Sequence, residues 1–259
     1  MSGQEERPVA LITGAGRAPG SALALALVEA GMVVAANELS PTLLDPLEAA
    51  ARSITANRAH AGHLQAYIAD ATRGMPLRAM IDEVLSDWGR IDVLVNNPRI
   101  QPDAALLEMD EWDWQRTIEM NLNGPFLVTQ IAARLMREQG GGVILNIVDA
   151  DLAALEAPGR AAYAASQQGL LALSSAAARE LIAYNIRVYT LCPDRAVFSP
   201  SESEPEETGS VFAQFAAFLC SPAAVSLPGQ VFHICGGSIT PEPGLPWQSK
   251  TGFGAFPEE

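Results

Sequence analysis

Apolar and polar positions alternate in blocks along this chain: short aliphatic and β-branched runs are separated by longer amphipathic stretches. PVALIT (Pro8–Thr13) is apolar at nearly every position, the pattern of a strand buried on both faces. A glycine-containing turn follows, then a helix over Ser21–Ala30 and a second strand over Met32–Ala36. Leu43–Thr55 has helical spacing, and a third strand ends at Tyr67–Ala69. IDVLVNN (Ile91–Asn97) makes a fourth strand, Glu111–Asn121 and Gly124–Gln139 two helices, and VILNIV (Val143–Val148) a further strand. Ala165–Tyr184 reads as a long helix before the strand IRVYTL (Ile186–Leu191), and VFHI (Val231–Ile234) is the last strand. Strands alternating with helices build right-handed βαβ units. The expected fold is α/β: a single, doubly wound parallel sheet with helices on both faces.

No internal repeat is visible, so residues 1–259 are expected to form one domain. SPSESEPEET (Ser199–Thr208) reads as an acidic loop and everything after Gly236 as a proline- and glycine-rich tail. That extension, 236–259, carries Trp247, Phe253 and Phe256, aromatics suited to an arm anchored on a neighbouring subunit, while its proline and glycine content equally permits a disordered tail.

Composition narrows the function. With 49% hydrophobic and 18% charged residues the chain is globular, and its net charge of −14 opposes nucleic acid or an anionic membrane as partner. The polar start MSGQEERP has no signal-peptide core, and Cys192, Cys220 and Cys235 are three widely spaced thiols. A reduced, cytoplasmic protein without a disulfide frame is expected. His60 and His63 share helical spacing but lack a third ligand, so surface positions and no metal are expected; His233 reads as core or interface, and Trp112 as core.

TGAGRAPG (Thr13–Gly20), GRIDVLVNN (Gly89–Asn97), MNLNGPF (Met120–Phe126), Tyr163 and LPGQVFHICGG (Leu227–Gly237) occur in order over nearly the whole chain. Together they resemble the short-chain dehydrogenase/reductase family. The resemblance implies a Rossmann sheet binding NAD or NADP, oligomers, and catalysis by an Asn, a Ser, a Tyr and a Lys.

In the cofactor half, Gly14 and Gly20 match the family's first and last glycines, where backbone amides meet a pyrophosphate. Ala18 replaces the middle glycine, and Pro19 has no N–H to offer. The resemblance places Glu38 on the adenosine ribose, favouring NAD, Asp70 on the adenine and Asn96 on the ribose side. A solvated strand end accounts for Glu38 equally well, and capping and turn hydrogen bonds would hold Asp70 and Asn96 without any ligand. Arg99 and Asp194 depart from glycines beside the nicotinamide, adding bulk and a carboxylate.

In the catalytic half, Asn121 and Tyr163 match the family, but Gln167 stands where the lysine is expected. A free tyrosine titrates near pH ~10 and needs a neighbouring cation to exchange protons at neutral pH. No serine lies near Asp149; Val148, Asp149, Ala150 and Asp151 occupy that stretch, and the aspartates are expected on a solvated loop. Tyr163 is expected to pack at the helix start with its hydroxyl satisfied locally. The interval Pro193–Phe218 is short for a substrate lid.

Asn121 and Tyr163 therefore read as vestigial. The expectation is a non-catalytic subunit that binds no cofactor itself, or NAD if any. It would pair with a catalytic short-chain dehydrogenase/reductase in a heterotetramer oxidising a secondary alcohol. An active oxidoreductase with atypical support for Tyr163, and a small-molecule sensor on the same fold, are the alternatives.

Overall fold

The computed structural model describes residues 7–97, 99–151, 155, 157–194, 197, 206–224, 227, 229–235 and 238–242. Strands β1 (Val9–Thr13), β2 (Val33–Glu38) and β3 (His63–Ile68) alternate with helices α1 (Gly20–Glu29), α2 (Asp45–Asn57) and α3 (Gly74–Trp88). Next come β4 (Val93–Asn96), α4 (Glu111–Ile118), a π turn (Glu119–Asn123), α5 (Gly124–Gln139) and β5 (Gly142–Ile147). Helix α6 (Ala161–Leu181), β6 (Ile186–Pro193), α7 (Glu206–Cys220), β7 (Val231–Cys235) and β8 (Ser238–Pro241) complete the order.

All eight strands join one sheet, ordered β3-β2-β1-β4-β5-β6-β7-β8 and parallel except for the β7–β8 pair. The expected doubly wound α/β sheet is present. Strand β1 explains the two layers. Side chains alternate across a strand, so Ala10 and Ile12 pack with Leu23, Leu47 and Phe212 on the α1, α2 and α7 face. Val9 and Leu11 pack with Leu77, Val128 and Ala178 on the α3, α5 and α6 face. Burying a Leu or Ile side chain in this way contributes roughly 1.5–3 kcal/mol. The chain reverses direction across the sheet between β1 and β4, and a crevice opens beyond the carboxyl ends of these strands.

Four expectations need correction. The acidic loop before Phe218 gives way at Glu206 to α7, which packs on α1. Phe212, Ala216 and Leu219 recur at helical spacing and are fully buried, so a loop cannot satisfy them. The tail contains β8, whose Ser238 and Ile239 pair with Cys235 and Ile234; Trp247, Phe253 and Phe256 lie outside the described residues. Trp112 is 64% exposed on the first turn of α4, not core. Of the histidines, His63 opens β3 rather than sharing a helix, and His233 meets Glu242 at 2.8 Å. Among the described residues no helix is long and apolar enough to cross a membrane.

Candidate functional site: a two-part cleft and a closed tyrosine

The loop after β1 is built on backbone approach. Gly14 has φ +67°, a left-handed conformation that favours glycine. A Cβ on Gly20 would lie 2.5 Å from the Asn97 amide nitrogen and 2.7 Å from the Gly14 carbonyl. Asn97 holds the loop in place by donating to the Gly14 carbonyl at 2.8 Å. Pro19 precedes α1 directly, so the helix starts at Gly20 without a side-chain cap and without the amide that another residue would supply there.

One part of the cleft, a cavity of 160 Å³, lies between this loop and the ends of β2 and β3; Gly14, Asn37, Glu38, Asp70 and Ala71 line it. Glu38 is only 6% exposed. Its Oε2 accepts the Leu39 amide at 3.1 Å, whereas Oε1 has no hydrogen-bond partner and faces Arg17 Nε at 4.0 Å. A buried carboxylate oxygen without a donor is costly, which marks it as a place for a ligand's hydroxyl. Asp70 lines the same cavity, but its Oδ1 accepts from the Thr72 amide and hydroxyl at 3.0 and 2.6 Å, the turn bonding that needs no ligand. Asn96 is displaced from its expected role. It is fully buried in the sheet, donating to Thr129 and Asn146 at 3.0 and 2.8 Å. Asn97, on the opposite side of the chain, is the asparagine that lines the cleft. Strand alternation was the available signal for that difference.

The second part is a larger cavity of 560 Å³, lined by Arg17, Ala18, Arg99, Trp112 and Arg116 among others. Arg17, Asn97, Arg99, Ile100 and Arg116 border both cavities, so the two form one cleft.

At the inner end stands Tyr163, in the first turn of α6 and 1% exposed. Its hydroxyl accepts from Arg99 Nε at 2.6 Å and donates to Asp149 Oδ2 at 3.0 Å. The Arg99 guanidinium also lies 5.3 Å from the centre of the tyrosine ring, and its Nη2 is 3.7 Å from Asp149 Oδ2. Burial pushes the Tyr163 pKa above that of a free tyrosine; the Arg99 charge pulls it down and Asp149 pushes it back up. Asp149 is therefore not on a solvated loop. It is buried, because Arg99 and Tyr163 supply partners that water would otherwise provide.

Gln167 takes a structural part in this cluster: its Oε1 accepts the Asp149 backbone amide at 2.8 Å. Asn121 sits in the π turn, the kind of local distortion that often occurs at functional sites. Its Oδ1 accepts the Ile100 amide at 2.9 Å, and its Nδ2 donates to the Ile100 carbonyl at 2.8 Å and to Ser166 Oγ at 3.0 Å. Ser166, not singled out from the sequence, in turn donates to the Tyr163 carbonyl at 2.7 Å. Its position three residues after Tyr163 on a helix was the readable clue. Asp194, after β6, accepts from the Val197 amide at 3.4 Å.

Residues 8–202 match the family model described as short chain dehydrogenase. The chain belongs to the short-chain dehydrogenase family. It is 35% identical over 243 residues to a 3-oxoacyl-[acyl-carrier-protein] reductase of Staphylococcus aureus, covering 88% of this chain and 96% of that one. The corresponding reductase of Thermotoga maritima is 33% identical over 249 residues, covering 90% and 98%. Among solved structures, a hydroxysteroid dehydrogenase from Escherichia coli matches with a TM-score of 0.76 at 28% identity, over 89% of this chain and 96% of that one. An NAD+-bound xylitol dehydrogenase matches with a TM-score of 0.75 at 25% identity, over 89% and 99%.

Short-chain dehydrogenases normally carry NAD or NADP, and here the fit divides. The orphaned Glu38 oxygen and the glycine-dependent loop suit the sugar and phosphate of a nucleotide. The inner end does not suit a nicotinamide riboside: Arg99 lies over Tyr163 there, and the Gln167 carboxamide oxygen is committed to Asp149.

Proposed function

We propose that this short-chain dehydrogenase is a non-catalytic subunit, structural or regulatory, of a heteromeric NAD-dependent enzyme that oxidises a secondary alcohol. The observation that carries the reading is the Tyr163 hydroxyl, held from both sides by Arg99 and Asp149. A tyrosine reducing a carbonyl must donate its proton to the substrate, and here that donor points at Asp149. A tyrosine oxidising an alcohol must first ionise, and burial disfavours the phenolate. Gln167 offers no charge to reverse this.

The partner in this reading is an intact member of the same family within a heterotetramer. An exposed groove between α5 and α6, bordered by Phe126, Ala176, Ala177 and Tyr184, supports pairing, because small residues permit close helix approach. The arrangement is similar to the non-catalytic subunit of the dehydrogenase acting on 2-(hydroxy(phenyl)methyl)succinyl-CoA, which makes a β-hydroxyacyl-CoA the substrate class to try first. A C-terminal intersubunit arm, residues 236–259, belongs to the same proposal.

A second reading, an active oxidoreductase, is favoured by the reductase names of the relatives and by one observation. Arg99 places a cation 2.6 Å from the tyrosine oxygen, a charge of the kind the expected lysine would supply. One experiment separates the two. In the assembled enzyme, Tyr163→Phe in this chain leaves kcat unchanged if the subunit is non-catalytic, and lowers it by orders of magnitude if the tyrosine is the acid/base.

A further inference from the structure

We infer that the cleft binds a nucleoside mono- or diphosphate in preference to a whole dinucleotide. The inference rests on the nicotinamide side being closed, as in the reading above, and adds a ligand of its own.

Two chemically opposite features meet in one cleft. Glu38 Oε1 is buried and lacks a donor, so it selects a neutral hydroxyl and repels an anion. Arg17 and Arg116 border both cavities, in a chain whose net charge is −14. Phosphate is repelled by the bulk of such a surface, and these arginines, with Arg99 behind them at the border of both cavities, give the cleft a stretch where it is attracted. Arg116 stands exposed on α4, its guanidinium 5.5 Å from the Trp112 ring centre. A ligand satisfying both features has vicinal or single hydroxyls at one end and a phosphate at the other. A ribonucleotide has this layout: ribose on Glu38, base against Leu43, Ala69 and Ala71, phosphate toward the arginines. The ribose and base would occupy the 160 Å³ part and the phosphate the 560 Å³ part, and the joined cleft falls within the ~300–1,000 Å³ usual for small-molecule sites.

The cleft also has a stop. Beyond the arginines a dinucleotide would carry its second riboside toward Tyr163, where Arg99 lies over the ring and bonds the hydroxyl. Moving Arg99 aside would break a 2.6 Å hydrogen bond and leave Asp149 buried without the nearby charge. A ligand that ends at its phosphate needs no such movement.

Calorimetric titration of the full chain with AMP, ADP, NAD, ribose 5-phosphate and inorganic phosphate tests this. The expected result is ADP or AMP bound at least tenfold more tightly than NAD. Glu38→Gln and Arg116→Ala should each weaken nucleotide binding about tenfold, with the Arg116→Ala loss shrinking at high salt. Arg116 is exposed, so its variant reports on binding even if Glu38→Gln perturbs folding. The inference is overturned if NAD binds as tightly as ADP, if inorganic phosphate matches the nucleotides, or if none binds. Tight NAD binding without hydride transfer would remove this inference and leave the non-catalytic reading. Nucleotide preference together with hydride transfer by the pure chain would do the reverse.

Discussion

The Tyr163 hydroxyl donates to Asp149 Oδ2 across 3.0 Å, at a place where a catalytic tyrosine of this family would face its substrate. That bond, with Arg99 on the other side, makes the tyrosine hydroxyl part of a buried polar cluster. The cluster explains why several departures from the family pattern occur together. An aspartate there needs a cation, Arg99 supplies it, and Gln167 anchors the backbone that carries the aspartate.

If this chain is the non-catalytic subunit proposed above, repairing one position does not give it chemistry. Gln167→Lys removes the acceptor of the Asp149 amide and adds a second cation to a buried cluster. Catalytic groups that act as a unit are limited by whichever is still missing. The expected outcome is no measurable dehydrogenase turnover by the Gln167→Lys chain. Turnover recovered by this substitution alone would mean that Asp149 and Arg99 do not block the site.

Breaking the cluster should cost stability. Arg99→Ala leaves Asp149 and the tyrosine oxygen short of a partner, and a hydrogen bond to a charged group is worth about 1.5–3 kcal/mol. Arg99 is partly exposed, so solvent lowers the expected loss to roughly 1–2 kcal/mol. Asp149→Ala in the same background should add less than it does alone, because the pair is already broken. Urea unfolding of the two single variants and the double checks this.

The same environment sets an alkaline limit. Burial pushes the Cys192 and Cys220 thiols up to about 12, and raises Tyr163 and Tyr189 above ordinary tyrosine. Above the ordinary thiol and tyrosine range the unfolded chain loses protons that the folded chain retains. With fewer protons on the unfolded state, stability falls as pH rises. Stability from these groups is thus complete below pH ~8.5 and declines from there toward alkaline pH. Tyrosinate absorbance should show Tyr163 protonated until the protein unfolds, with Tyr163→Phe removing one late-titrating group. A tyrosine titrating near neutrality would instead fit the active oxidoreductase.

Helix α7 gives a test of the fold. Phe212 is fully buried against the α1 face of the sheet, so Phe212→Ala should destabilise by about 3–5 kcal/mol. A loss under 1 kcal/mol would show that α7 is not part of the core.

Much of this architecture was legible in the chain. Runs such as VALIT and VLVN admit little besides buried parallel strands, and amphipathic helical stretches separate most of them. Helix α7 was hidden because its start is acidic and proline-flanked, and local composition outweighed the Phe212, Ala216 and Leu219 spacing. At the site, the residue types were readable but their partners were not. Arg99 and Tyr163 are far apart in sequence and meet only because the loop after β4 and the start of α6 converge beyond the carboxyl ends of the central strands. Asp149 read as loop for the same reason: burial of a carboxylate depends on a distant cation. Asn96 was the residue picked from the sequence, and its neighbour Asn97 lines the cleft instead, because side chains alternate at the end of β4.

The central claim, that this short-chain dehydrogenase works beside a catalytic relative, is tested most directly by native mass spectrometry of the chain purified from its own cells. The account predicts a heterotetramer containing an intact family member with its own Ser, Tyr and Lys, and hydride transfer that survives Tyr163→Phe in this chain. A homo-oligomer of this chain alone, turning over NAD or NADP with loss of activity on Tyr163→Phe, would contradict it.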